Sequence, residues 1–206
     1  NKREPGTGCS AIEGVNREVF AVLGTSEHCI AVHPSDMCVA MAAIGATVEV
    51  QGPNGTREIA FSDFHKMPGN TPHIEHELAE DELITHVMLD APIEDAGSTY
   101  VKLRDRSSYQ FALASCAAIV SLDGDVIREV RLALGGVGTK PWRCSQAEQQ
   151  LVGATANEEN FAQAARLAMQ DATPYKHNAY KIPLARKAIT QALKDATVRA
   201  GNGGSI

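Results

Sequence analysis

The strongest constraint on this chain is the turn Pro53-Asn54-Gly55, set between the apolar-alternating stretches Thr47 to Gln51 and Arg57 to Phe61. Proline presets the turn's φ, and Asn-Gly tolerates the positive φ that tight hairpins demand, so this segment reads as two antiparallel strands. A second hairpin is written further on, where Asp123-Gly124 separates the apolar run ending at Val120 from Val126 to Leu134. Two hairpins with helical segments beside them imply an α+β chain.

Helix signals fill the spaces between. Ser35 and Asp36 can cap a run from Met37 that Gly45 ends. After the breaker Gly135-Gly136-Val137-Gly138, three helices are expected over Ser145 to Val152, Glu158 to Asp171 and Pro183 to Arg199. The last places Leu184, Ala188, Ile189, Ala192 and Leu193 on one side. Ser62 to Phe64 reads as a short helix or turn. Val19 to Leu23, Cys29 to Val32, Leu83 to Leu89 and Tyr100 to Leu103 read as further strands. Ser107 to Val120 is apolar enough to be either a buried strand or a buried helix, and Gly201 to Ser205 reads as a polar tail.

Pro92 and Gly97, within Asp90 to Ser98, mark the best boundary between two units. The expected division is a loop or arm over residues 1–18, a first unit over 19–92 and a second over 98–200. Asn1 to Asn16 makes an odd start for an independent domain, so the chain is expected to be cut from something longer.

Charge and apolar content exclude two classes of partner. A net charge of -6 with pI near 5.6 argues against a phosphate-backbone binder, which needs clustered lysine and arginine. No apolar run reaches the roughly 18 residues of a membrane span. Five cysteines without a CxxC pair fit neither a complete disulfide framework nor a complete zinc site. Cys29, Cys38 and Cys116 read as buried small hydrophobes, and Cys144 is less clear. His73 and His76, beside Glu75 and Glu77, have the i,i+3 spacing of a metal pair but no third ligand, and no histidine shows an acidic partner. No nucleophile elbow is present.

Three longer stretches carry a resemblance: GTGCSAIEGVNREVFAVLGTSEHCIAVHPSDMCVAMAAIGATVEV from Gly6, YVKLRDRSSYQFALAS from Tyr100 and VRLALGGVGTKPWR from Val130. Together with DELITHVML at Asp81 to Leu89, they resemble the flavin-binding subunits of the xanthine dehydrogenase and carbon monoxide dehydrogenase family. NKREPGTGC and SYQFALAS point within it to periplasmic aldehyde oxidoreductases. The resemblance implies the second subdomain of a PCMH-type, vanillyl-alcohol-oxidase-like FAD-binding domain. A CO dehydrogenase flavoprotein C-terminal domain would follow, with a three-stranded antiparallel sheet and a helical bundle. The family's Gly-rich phosphate loop, in an N-terminal subdomain, is not among these residues.

The same resemblance implies roles. Gly24, Thr25 and Ser26, with His28 behind them, would approach the pyrophosphate, though they also suit an ordinary polar turn. Asp36 would meet the ribityl hydroxyls and equally suits a helix cap. Ile84 would lie against the isoalloxazine and Lys102 near it, where a positive charge stabilises the anionic reduced ring. As residues alone, Ile84 is a core strand position and Lys102 a solvated lysine. Cys9 would be one ligand of a 4Fe-4S cluster whose others lie mostly upstream, or else a free thiol. The implied partners are a large subunit carrying the molybdenum cofactor and a small subunit carrying 2Fe-2S clusters. The compartment would be periplasmic, with the cytoplasm also open. From another class, the chain could be a non-catalytic docking module using the apolar side of Leu184, Ile189 and Leu193.

Overall fold

The computed structural model describes residues 1–202. Of the tail expected over Gly201 to Ser205, residues 203–205 lie outside them.

The hairpin at Pro53-Asn54 forms as written. Strand β1 (Ala46–Gly52) pairs antiparallel with β2 (Gly55–Ala60), and Gly55 takes φ +108° to close the turn. Strand β3 (Leu83–Leu89) joins the other edge of β1, giving the order β2-β1-β3. Val48 and Val50 of β1 turn inward with Ile59, Phe61 and Phe64, the last two on the one-turn helix Phe61–Phe64. These five positions with Ala46 make a small core.

The second unit is a larger antiparallel sheet. Strands β4 (Ala96–Leu103), β5 (Ala114–Asp123) and β6 (Val126–Gly135) are the three expected, and a two-residue β7 (Trp142–Arg143) extends the edge. Over one face lie three helices, Ser145–Leu151, Glu158–Ala168 and Lys181–Gly201. Ile189 and Leu193 are fully buried between the last helix and the sheet. Pro183 falls in the first turn of that helix, where its missing N–H costs nothing.

One helix serves both units. Asp36–Ile44 sits on the sheet face opposite the three helices, placing Val39 and Ala43 against Ala117 and Ala133. Its other side meets the small core through Cys38, Met41 and Ala42. Ser35 caps it, its Oγ accepting from the Cys38 N–H at 3.2 Å. The Ser35→Ala variant is expected to lower stability by about 1 kcal/mol. Urea unfolding would show it as a lower midpoint with unchanged slope.

Several expectations need correction. Val19 to Leu23 and Cys29 to Val32 are not strands but a hairpin-like loop held by isolated bridges, Phe20 with Ala31 and Leu23 with Gly138. The reason is competition: the N–H groups of Val22 and Leu23 both donate to the Val137 carbonyl, drawing this segment onto the glycine-rich loop after β6. Ser10–Glu13 folds as one helical turn inside the expected N-terminal loop. Strand β3 forms where expected, yet every residue on it is exposed, so Ile84, at 47% exposure, is not a core position. The apolar side of the last helix is core, so Ile189 and Leu193 offer no docking face.

Among the described residues, no helix is long and apolar enough to cross a membrane.

Candidate functional site

The Gly24 turn lies where the two units meet. Gly24 adopts φ +68°, and a Cβ there would stand 2.7 Å from Thr139 Oγ1 and 2.8 Å from the Trp142 ring, so glycine is required by close packing. Thr139 donates its hydroxyl to the Gly24 carbonyl at 3.0 Å and its N–H to the Leu23 carbonyl. Ser26 holds the turn from inside: its Oγ accepts from the N–H groups of His28 and Cys29 at 3.2 and 3.3 Å, and its own N–H donates to the Cys29 carbonyl. The amides of Gly24, Thr25 and Glu27 donate to no acceptor among the described residues. A tight turn with free amides is suited to an anion such as a phosphate. His28 contributes its backbone, its carbonyl accepting from the Asn1 side-chain amide at 3.0 Å.

Asp36 and Lys102, distant in sequence, are in direct contact. Lys102 Nζ donates to Asp36 Oδ2 at 2.6 Å and Tyr100 donates its hydroxyl to Asp36 Oδ1 at 2.8 Å. Ser115 donates its own hydroxyl to the Tyr100 oxygen at 3.0 Å. Burial pushes the Tyr100 phenol well up, assisted by the neighbouring Asp36 carboxylate, so it stays a donor at neutral pH. The expected solvated lysine is therefore an ion-paired one, with its side chain only 23% exposed. Asp36 also opens its helix, but the cap acceptor is Ser35.

Ile84 stands apart from these groups, on the outer strand opposite Val50 of β1. Cys9 precedes the one-turn helix Ser10–Glu13 and remains a free thiol, partly exposed. Its loop is ordered by Asn1 Oδ1, which accepts from the N–H groups of Gly6 and Gly8 at 3.1 and 3.0 Å.

The other cysteines and the histidines refine the expectation. Cys29, Cys116 and Cys144 are buried, whereas Cys38 is only partly so. Burial pushes the Cys116 and Cys144 thiols up. His73 and His76 do not form a metal pair: His73 is exposed, and His76 stacks on Phe64 with ring centroids 5.9 Å apart. One histidine does have an acidic partner, His86 Nδ1 lying 2.8 Å from Glu49 Oε1, an oxygen that also accepts from the Thr85 hydroxyl at 2.6 Å.

Sequence reasoning missed His33 and His65. Their rings meet edge to face at 4.6 Å beside a cavity of about 210 Å³ that also reaches Lys2, Glu75, His76 and Thr139. Burial pushes His33 down, and pushes His65 down to about 4 with help from the nearby His33 and Lys140. Both rings are neutral at physiological pH. No spacing could have announced them, because they are brought together across 32 residues by the packing of the helix Phe61–Phe64 against β1.

Known proteins are similar to this chain in sequence and fold. Residues 13–91 match the family model of the FAD binding domain in molybdopterin dehydrogenase, and residues 98–196 match that of the CO dehydrogenase flavoprotein C-terminal domain. The chain is 46% identical, over 97% of its length and 59% of the relative's, to the aldehyde oxidoreductase FAD-binding subunit PaoB of Escherichia coli (strain K12). It is 33% identical to the glyceraldehyde dehydrogenase medium chain of Sulfolobus acidocaldarius, over 61% of its length and 42% of that chain's. A solved structure of carbon monoxide dehydrogenase from Hydrogenophaga pseudoflava, lacking the Mo-pyranopterin moiety of the molybdenum cofactor, superposes with a TM-score of 0.72. The identity there is 26%, over 81% of this chain and 57% of that one. The chain thus spans between 42% and 59% of the length of these relatives.

Proposed function

This chain belongs to the FAD-binding subunits of the molybdenum hydroxylase family, and from that premise we propose that it forms part of the flavin site of an electron-transfer subunit in an aldehyde oxidoreductase-type complex. FAD supplies such a site with a carrier that takes up two electrons and releases them to an external acceptor. What the chain contributes is position and charge.

The observation that carries the reading is the Gly24 turn. Its free amides at Gly24, Thr25 and Glu27 fit a pyrophosphate, and Ser26 fixes their direction by holding the turn closed. Asp36, whose carboxylate keeps lone pairs beyond those used by Tyr100 and Lys102, accepts hydrogen bonds from ribityl hydroxyls. Lys102 places a positive charge in the same group and offsets negative charge gained on reduction. Ile84 presents an apolar surface on the open strand β3 toward the ring.

In this reading residues 19–92 are the flavin-facing unit, residues 98–200 the C-terminal unit, and residues 1–18 an arm in which Cys9 is one ligand of a 4Fe-4S cluster. The partners are a large subunit with the molybdenum cofactor and a small subunit with 2Fe-2S clusters, from which electrons arrive. The compartment is the periplasm, as suggested by the aldehyde oxidoreductase type.

The test is flavin retention. The protein mixed with FAD and passed through gel filtration is expected to keep a flavin visible spectrum. The Asp36→Ala variant is expected to raise the Kd about tenfold, equivalent to about 1.4 kcal/mol, by losing a charge-assisted acceptor. Protein that emerges colourless at saturating FAD, or an Asp36→Ala variant that binds as tightly as the parent, overturns the assignment of these residues.

A further inference from the structure

Besides the proposed flavin contacts, the fold gathers three soft-metal donors that those contacts do not use. One donor atom from each of His33, Cys38 and His65 lies within 4.8 Å of the other two. They come from three places: the loop before the helix Asp36–Ile44, the first turn of that helix, and the residue that ends the helix Phe61–Phe64. We propose that His33, Cys38 and His65 form a binding site for a divalent zinc-class cation that clamps these segments together.

Three observations carry this. Two imidazoles and a thiol are the donor set that zinc prefers. The Nδ1 atoms of both His33 and His65 are buried with no hydrogen-bond partner, whereas a buried imidazole nitrogen ordinarily has one. The two histidines line a cavity open to solvent, so a hydrated ion has a way in and a water molecule can fill a fourth position.

The spacing is close to what an ion needs. With Zn–N near 2.0–2.1 Å and Zn–S near 2.3 Å, tetrahedral ligands stand roughly 3.3–3.6 Å apart. Donors within 4.8 Å close that distance by side-chain rotation of about an ångström. Charge around the site is mixed: Lys2 and Lys140 oppose a cation, and Glu75 favours one, acting on both rings. Lys2 is already paired with Glu75, and Lys140 donates to the Ser62 carbonyl at 3.1 Å. On binding, the Cys38 thiol releases its proton to solvent and no electrons move, since zinc is redox-inert.

Titration with Co²⁺ tests the site, because tetrahedral Co²⁺ has visible ligand-field bands and a thiolate ligand adds a near-ultraviolet charge-transfer band. The expected result is one Co²⁺ per chain with both features, displaced by Zn²⁺, and a Zn²⁺-dependent rise in Tm. Cys38→Ser is expected to abolish the charge-transfer band. His33→Gln and His65→Gln are each expected to weaken binding at least about tenfold, while His73→Ala and His86→Gln leave it unchanged. Circular dichroism confirms folding, and Cys38→Ser, the mildest change, keeps the test decisive if a histidine variant unfolds. No saturable binding overturns the proposal, as does a charge-transfer band that survives Cys38→Ser or disappears in Cys9→Ser. The proposal stands apart from the flavin reading, since each is measured with its own ligand.

Discussion

Replacing Gly97 with alanine is expected to destabilise the protein by about 3 kcal/mol or more, at the upper end of what overpacking costs. Gly97 lies in β4, directly beneath the helix Lys181–Gly201, and is buried. A Cβ built there overlaps the Ala196 carbonyl oxygen and the Ala200 amide nitrogen, and stands 2.8 Å from Arg199 Cβ. The first two are backbone atoms of a 21-residue helix, so no side chain can swing aside. The helix must lift from the sheet, loosening the contact of Ala192, Leu193 and Ala196 with β4 and β5 and the bond from Arg199 to the Ser98 carbonyl. Gly124→Ala is the control. It has φ +60° but nothing within 4 Å, so only the left-handed backbone is strained, at about 1–2 kcal/mol. Urea unfolding of both variants beside the parent decides the matter. Equal losses would mean that the close approach at Gly97 does not limit the docking of the helix.

The same contact explains which parts of the fold could be read from sequence. Turn chemistry is local, so Pro53-Asn54-Gly55 and Asp123-Gly124 announce their hairpins without help from the rest of the chain. The Ser35 cap and the Gly45 stop are local too, and they bracket the helix Asp36–Ile44 to the residue. Ser107 to Leu113 is an irregular loop with Tyr109 and Phe111 exposed, neither strand nor helix, and the ambiguity over the rest of Ser107 to Val120 has a tertiary cause. From Ala114 to Ala118 every residue of β5 is buried, because the helix Asp36–Ile44 covers one face and the long helix the other. A strand buried on both faces loses its period of two and cannot be told from a buried helix by pattern. The loop from Val19 to Val32 resembles strand in sequence for a related reason: its apolar residues are β-like, but the amides of Val22 and Leu23 donate to the Val137 carbonyl.

The candidate site divides along the same line. Gly24, Thr25, Ser26 and His28 are contiguous, and the resemblance of a continuous stretch was enough to single them out. Asp36 and Lys102 were each named separately, yet nothing in their neighbours says that they meet at 2.6 Å, since the contact spans 66 residues and is made by the helix crossing the sheet. Tyr100 escaped notice because a tyrosine on a strand is ordinary, and only its bonds to Asp36 and Ser115 make it part of the group. His33 and His65 were invisible for want of any short spacing. The exposure of Ile84 was equally hidden, as alternation on β3 says that a strand forms and does not say what covers it.

Lys181 is the residue whose removal tests how the N-terminal arm is fastened to the second unit. Its side chain is fully buried, and its ammonium donates at 2.6 Å to the carbonyls of Glu18, in the N-terminal arm, and Gly136, in the glycine-rich loop after β6. Lys181→Ala leaves both carbonyls without a donor and empties the volume of a long side chain, so a loss of about 3–5 kcal/mol is expected. Lys181→Met keeps most of the volume and relieves the buried charge, so it should cost less than the alanine variant. The pH dependence separates charge from volume. Burial, only partly offset by Glu18, pushes Lys181 down from 10.5 to about 8. Below pH 8 the folded and unfolded chains are both protonated at this lysine and the full penalty of the buried charge is present. Between pH 8 and 10.5 the unfolded chain binds more protons, so this group's contribution to stability rises with pH, by about 1.4 kcal/mol per unit. The whole protein turns over sooner. Cys116 and Cys144 are pushed above their ordinary value of 9.0, so above that pH the unfolded chain releases protons that the folded chain retains. The clean measurement is therefore the difference between parent and Lys181→Met, taken by urea unfolding at pH 7, 8 and 9. The parent is expected to gain about 1 kcal/mol on the variant between pH 8 and 9, short of the limiting slope because the folded-state lysine is only half deprotonated at pH 8. A difference that stays flat across that interval would mean that the ammonium keeps its ordinary affinity for its proton, and that the two carbonyls solvate it as well as water does.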